Sequence, residues 1–469
     1  MPMNIIEQSA TNIVNGIKTQ KHTCLEVANA FIERIEAVNP ELNAIHQFDP
    51  ERIRDEARAA DEKITAGKLL GKLHGLPISI KNTCYVEGFI CDKGCKGLHD
   101  SHNQANATVV QQLLNEGAII LGLTNVPELL ASYETDNLIY GRTNNPYDKT
   151  KIAGGSSGGE AALLAAGGSP LGLGSDAGGS VRQPAHCTGI AAHKPTHGLI
   201  PLSGCIPNDD IGIIRDILDF GPMARHIDDL RLAMSVLQRY DESDPASVVA
   251  PPAFDIYQSV DIKNCRIAYF TDNGIVAADA ETDQTIESLM QQLRDAGAQV
   301  TKARPKLIEK SFEILWEVLF WVGDGGKTWQ DIIANFEASP LLKQFVANAS
   351  KRDFTVIETR NRLNSIDSLK HALNDFMQDY DVLICPVAAR PAIDHGKTHD
   401  HIEEFAYSTT FNLTGSPATV VNAGFSQSGL PIGVQIVGKH FADGMTLGVG
   451  EIIQKLVAIP PIPMLNTQS

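Results

Sequence analysis

Residues 154–182 read GGSSGGEAALLAAGGSPLGLGSDAGGSVR, and ten of these 29 residues are glycine. Glycine at that density weakens helix and strand alike, so a folded chain keeps it where backbone must take positive φ or approach another group closely. Two such places stand out. Gly154-Gly155-Ser156-Ser157-Gly158-Gly159-Glu160 runs into a helix-forming stretch at 161–166 that Gly167-Gly168 stops. Ser156 and Ser157 are thereby placed at a helix N-terminus, where unpaired amides and the positive end of the macrodipole favour developing negative charge.

The second place is Asp176-Ala177-Gly178-Gly179-Ser180, which follows 170–174, a segment that reads as a short buried strand. Small residues before a serine can turn several backbone N–H groups into one concavity, as an oxyanion hole requires. A helix of about nine residues covers roughly 13 Å and a six-residue return strand roughly 20 Å. Ser156 and Ser180, 24 positions apart, can therefore meet.

The run resembles the signature of the amidase signature family, serine hydrolases with a Ser-Ser-Lys triad, through GGSSGGE at 154–160, PLGLGSDAGGSVRQPA at 170–185 and HKPTHG at 193–198. The resemblance implies that Ser180 is the nucleophile, that Ser156 follows a cis peptide and relays protons, and that Lys81 is the base. It also implies an oxyanion hole from the amides of Ala177, Gly178, Gly179 and Ser180. Without it, Lys81 is an ordinary strand-end lysine. It follows an apolar strand at 76–80, where a desolvated ammonium can lose its proton near neutral pH. The family's usual Lys-Asp is Lys81-Asn82 in this chain. Further similarity lies at 124–128, at 221–225, which resembles the family's Gly-Pro turn, and at 381–386, 411–418 and 429–438.

Composition sets the frame. The chain has 469 residues, 43% hydrophobic and 20% charged, and no apolar run long enough to span a bilayer. A formal net charge of −17 speaks against a nucleic-acid surface. The N-terminus lacks a basic region followed by an apolar core, so no secretory signal is expected. Eight irregularly spaced cysteines suggest a reducing, cytoplasmic setting rather than a disulfide framework. Cys91, Cys95, His99 and His102 are metal-ligand types, but their spacing is too loose for a structural zinc site. No metal or organic cofactor is implied.

Several other features compete for attention. His186, His193 and His197 are residue types suited to general bases, and each is read as a loop or core histidine. Asp176 and Arg182 are read as scaffold, pairing with each other or with carbonyls. Gly154-x-Ser156-x-Gly158 matches a nucleophile elbow formally, but a turn at 145–150 precedes it instead of a strand. Gly172-x-Gly174-x-x-Ala177 mimics a dinucleotide fingerprint, and Gly178-Gly179-Ser180 is not expected to open a helix. Gly326-Lys327-Thr328 ends like a phosphate loop, yet Trp321 stands where its first glycine belongs. The aromatic stretch 312–329 is either an acyl-binding wall or ordinary helix packing.

The expectation is one α/β/α domain around a large mixed β-sheet. It comprises an N-terminal helical segment at 1–67, the signature core at 70–230, a variable substrate-side region at 250–380 and the rest of the core at 381–460. The expected activity is hydrolysis of a small-molecule carboxylic amide through a Ser180 acyl-enzyme. The signature is nearest to fatty acid amide hydrolase-like members, and a preference for apolar or aromatic acyl groups is expected. The rate should rise from neutral into mildly alkaline pH. A homodimer is one admissible assembly. Two alternatives are the glutaminase subunit of a tRNA-dependent amidotransferase and a non-catalytic binding protein on the same scaffold. The former usually shows Leu-Asp-Gln where this chain has Leu218-Asp219-Phe220.

Overall fold

Largely apolar runs form the inner strands, buried on both faces, and with an exposed edge strand they assemble into a single sheet. The computed structural model describes residues 4–99, 105–204 and 212–465. Its strands are β1 (Ile45–His46), β2 (Pro77–Lys81), β3 (Ile119–Thr124), β4 (Leu171–Asp176), β5 (Ala191–Lys194) and β6 (Asp219–Ala224), then β7 (Arg266–Tyr269), β8 (Gln299–Lys302), β9 (Val382–Pro386), β10 (Ala418–Phe425) and β11 (Pro431–Val437). They lie in the order β1-β3-β2-β4-β6-β5-β10-β11-β9-β7-β8. Pairings of β2 with β3 and β4 are parallel, as are those of β7 with β8 and β9, and the remainder are antiparallel.

Side chains alternate across a strand, and the core divides accordingly. Val382 and Ile384 of β9 and Ile267 of β7 join one hydrophobic cluster, which the N-terminal helices also pack against. Leu383, Cys385 and Ala268, the intervening residues, join a second cluster built around 312–345 and 405–413. The sheet is thus covered on both faces, giving a mixed α/β/α domain. Among the described residues, no helix is long and apolar enough to cross a membrane.

Local chemistry sets most boundaries. The helix Cys24–Leu42 starts with a Thr23–Glu26 capping box and the helix Pro50–Thr65 with an Asp49 cap. The former runs through Pro40 instead of stopping before it, and Asn43 ends it in the left-handed region at φ 51°. The segment Gly221-Pro222-Met223-Ala224 is a turn in the sequence reading, but it is the inner strand β6. Proline is admitted there because β5 pairs only with Met223 and Ala224, which leaves Pro222 outside that ladder.

The parallel neighbours β2 and β4 bring Lys81 and Asp176 to the same edge of the sheet, at carboxyl ends of adjacent strands. Ligand sites of open α/β sheets are found at such ends.

Candidate active site

Lys81 is the last residue of β2 and is wholly buried. Its Nζ donates to Ser156 Oγ at 2.7 Å, to Ser175 Oγ at 2.8 Å and to the Ser175 carbonyl at 3.2 Å. Burial drives its ammonium down from the usual 10.5 to about 7, against the opposing charges of Asp176, Cys84 and Glu160. A lysine in this setting exchanges its proton at neutral pH. Asn82 donates to the buried Asp92 carboxylate at 2.6 Å. An aspartate there would face a like charge, which accounts for the departure from Lys-Asp.

Ser156 follows a cis peptide from Gly155, and the helix Gly158–Ala165 begins two residues later. At its start the Ser157 N–H donates to the Ser180 carbonyl at 3.2 Å, so the segments bearing Ser156 and Ser180 run side by side. Ser180 sits on the turn that leaves β4, and a short helix, Arg182–Thr188, does open just beyond it. Val181 at its N-cap supplies no side-chain bond. The Asp176 carboxylate accepts from the Val181 amide at 3.2 Å and from the Arg182 amide at 3.4 Å, a distant cap that local sequence does not reveal.

The four amides expected to converge do not act alike. That of Gly179 donates to Asp176 Oδ1 at 2.7 Å. Among the described residues, those of Ala177, Gly178 and Ser180 have no protein acceptor. Gly179 has φ 122°, and a Cβ there would fall 2.2 Å from Ser408 Oγ, so both conformation and space demand glycine.

Behind the turn lies the buried Asp176–Arg182 pair, with Arg182 Nε to Asp176 Oδ2 at 3.0 Å. Arg182 also donates to Gln435 Oε1 at 2.9 Å, Asn412 Oδ1 at 2.6 Å and the Ser408 carbonyl at 3.0 Å. Burial acts to raise the Asp176 carboxyl, but the Arg182 charge and the hydrogen bonds outweigh it and hold it far below the usual range. Glu160, equally buried, accepts from Ser79 Oγ and from Thr124 Oγ1. Burial pushes its carboxyl up to about 7 despite those donors.

Three neighbours escape the sequence reading: Ser175, Tyr133 and Ser408. The hydroxyls of Tyr133 and Ser408 both donate to the Gly178 carbonyl, at 2.6 and 2.9 Å. Ser175 lies inside the quoted run, but β4 is buried along its whole length, so no alternation marks it. Tyr133 and Ser408 come from distant segments with no local signature.

The aromatic stretch packs into the second core cluster and also reaches the turn. Glu313–Phe320 is a π-helix, and a Cβ at Gly178 would fall 3.0 Å from Phe320 Cε2 and 3.2 Å from Leu315 Cδ2. Trp316 meets Phe320 at 5.0 Å and Tyr133 at 5.5 Å, both edge to face.

The three histidines belong to separate networks. His186 Nδ1 accepts from the Gly433 amide at 2.9 Å, and its Nε2 faces the Arg390 carbonyl at 3.0 Å. His193 lies between Thr419 and Asp443, and His197 faces Asp219, which also pairs with Lys194 at 2.8 Å. Of the loose Cys/His group, His102 lies outside the described residues, His99 bonds Asp92 at 2.7 Å, and burial pushes the Cys91 thiol up to about 12.

A buried amine on a hydroxyl, a second serine alongside and unpaired amides together suit acyl transfer. A family model described as Amidase matches residues 26–447. The chain is 31% identical to an acylamidase of Rhodococcus erythropolis, over 94% of this chain and 93% of that one. It is 30% identical to a glutamyl-tRNA(Gln) amidotransferase subunit of Caldanaerobacter subterraneus, over 92% of each. The solved structure of a fatty acid amide hydrolase superposes with a TM-score of 0.87 at 24% identity, covering 98% of this chain and 87% of that one, which bears on the fold.

Proposed function

The chain belongs to the amidase family and hydrolyses carboxylic amide C–N bonds, and from that premise we propose that it does so through an acyl-enzyme on Ser180. The observation that carries this reading is the wholly buried Lys81 with Nζ 2.7 Å from Ser156 Oγ. In its neutral form the amine accepts the Ser156 proton while Ser156 takes the proton of Ser180, whose oxygen attacks the amide carbon. The oxyanion is met by the amides of Ala177, Gly178 and Ser180, and the Gly179 amide braces the turn through Asp176. Collapse of the adduct breaks the C–N bond, and the proton returns through Ser156 to the departing nitrogen. Water, deprotonated along the same route, then releases the acid.

Phe320 and Leu315 lie against Gly178, two residues before Ser180, which supports an apolar lining for an acyl group held on Ser180. This favours substrates with an apolar or aromatic acyl part. The seven described cysteines are all buried and free, which supports a reducing, cytoplasmic setting.

The identity to an amidotransferase subunit favours a second reading, a glutaminase that works within a complex. Against it, Phe220 occupies β6 with its side chain fully buried, where that subfamily usually has glutamine.

One experiment addresses the reaction and the choice between readings. Purified chain is treated with a fluorophosphonate, the adduct is mapped, and a panel of aliphatic, aryl and amino-acid amides is assayed without a partner. The expected outcome is an adduct on Ser180, no labelling or turnover by Ser180→Ala, and the highest kcat/KM for apolar acyl groups. An adduct on another residue would defeat the assignment, and turnover of glutamine alone would favour the second reading.

A further inference from the structure

The Gly178–Gly179 peptide is gripped at both ends. Its carbonyl accepts from Tyr133 Oη at 2.6 Å and Ser408 Oγ at 2.9 Å, and its N–H donates to Asp176 Oδ1 at 2.7 Å. Asp176 is itself immobile, bound by Arg182, by Asn412 and by the Val181 amide. Turning this peptide plane would break three buried hydrogen bonds at once, and buried groups left without partners carry the full desolvation cost. The amides of Gly178 and Ser180 lie one Cα away on either side of the fixed plane. They are also among the three that have no protein acceptor.

We infer that Tyr133 and Ser408 are positioning residues of the oxyanion hole. By holding the Gly178 carbonyl they keep the Gly179 N–H on Asp176, and they thereby aim the Gly178 and Ser180 amides at the oxygen that gains charge. The assignment rests on Ser180 being the nucleophile, as proposed above. The two hydroxyls are not equivalent. Among the described residues, Tyr133 Oη donates to the Gly178 carbonyl at the shorter distance, 2.6 Å against 2.9 Å, whereas the Ser408 hydrogen divides between Gly178 and the Phe405 carbonyl at 3.1 Å. Ser408 Oγ also accepts from Gln183 Nε2 at 3.0 Å. Tyr133 is therefore the principal holder.

The Tyr133 ring stacks on Phe405 at 4.7 Å and meets Trp316 at 5.5 Å. Tyr133→Phe keeps that packing and removes the hydroxyl alone. The same ring joins the apolar wall to the turn, since Trp316 also contacts Phe320, which lies over Gly178.

The test compares Tyr133→Phe, Ser408→Ala, the double variant and Ser408→Thr with the wild type. The measurements are kcat and KM on one aryl amide, binding of a trifluoromethyl ketone with the same acyl group, and binding of the acid product. Tyr133→Phe should lower kcat about 10-fold with KM within about 2-fold, and the double variant should approach the roughly 10²–10³-fold loss that follows removal of an oxyanion donor. Ketone affinity should fall in step with kcat while product affinity stays level, and Ser408→Thr should retain activity. An unchanged kcat in Tyr133→Phe, or product binding weakened as much as ketone binding, would overturn the assignment. If the double variant does not fold, Tyr133→Phe decides the matter alone. Mapping of the fluorophosphonate adduct separates the two failures: Ser180 labelled with kcat unmoved sinks this inference, whereas an adduct elsewhere sinks the nucleophile.

Discussion

Replacing Lys81 by methionine should remove most of the activity and shift stability relative to wild type in the variant's favour as pH falls. The amine is wholly buried, and its proton is held at about 7 against 10.5 for an unperturbed lysine. Between those values the unfolded chain binds a proton that the folded chain has lost, so the Lys81 contribution to stability rises with pH across that window. Below pH 7 the folded state carries the whole penalty, about 5 kcal/mol at roughly 1.4 kcal/mol per pH unit. At pH 9 about 2 kcal/mol of it remains. Methionine removes the penalty and also leaves Ser156 and Ser175 without the amine, a loss that does not depend on pH. The stability of Lys81→Met relative to wild type should therefore be higher at pH 6 than at pH 9 by about 3 kcal/mol, whatever the size of that constant loss. Urea unfolding of both proteins at the two pH values measures this difference directly. A difference that does not change with pH would show that Lys81 is an ordinary protonated lysine in the fold. The reasoning about the base would then fail with it. In the wild type, kcat/KM should be half-maximal near pH 7 and level about one unit above. The structure thus narrows the rise into alkaline pH expected from sequence. Loss of the base should cost about 10²–10⁴ in rate.

Two further outcomes follow from the site. His186→Ala, His193→Ala and His197→Ala should leave the acid limb of the kcat/KM profile where it is, because none of these rings touches the Lys81–Ser156–Ser180 group. A limb displaced in any one of them would reassign the base. Phe320→Ala should raise KM about 10-fold for aryl amides, the worth of one apolar contact in a pocket, and leave the smallest aliphatic amides within about 2-fold. Equal loss across the amide panel would place Phe320 in the scaffold instead of the wall.

Much of the site is legible along the chain because its parts are local. Dense glycine with serine marks where backbone must take unusual φ, and that marking survives without any knowledge of neighbours: Ser156, Ser180 and Gly179 belong to one 29-residue run. The largely apolar strand before Lys81 admits a buried lysine, but the family resemblance is what singles it out, since a strand-end lysine is ordinarily solvated. Helix ends with capping residues, at Thr23 and Asp49, are equally local. Strand β6 reads as a turn because proline and glycine signal one unless the register of the next strand is known, and that register is a tertiary fact. The opening of Arg182–Thr188 is hidden because its first amides are met by Asp176, a residue at the end of the preceding strand. The direction of the Gly179 amide, and the hydroxyls of Tyr133 and Ser408 on the peptide before it, lie beyond sequence altogether. Sequence marked where the backbone has to bend and, through the family resemblance, which residues are expected to lose a proton or attack. Only the tertiary structure decided which way each amide faces, because a peptide plane is turned by partners from distant segments that the sheet brings together.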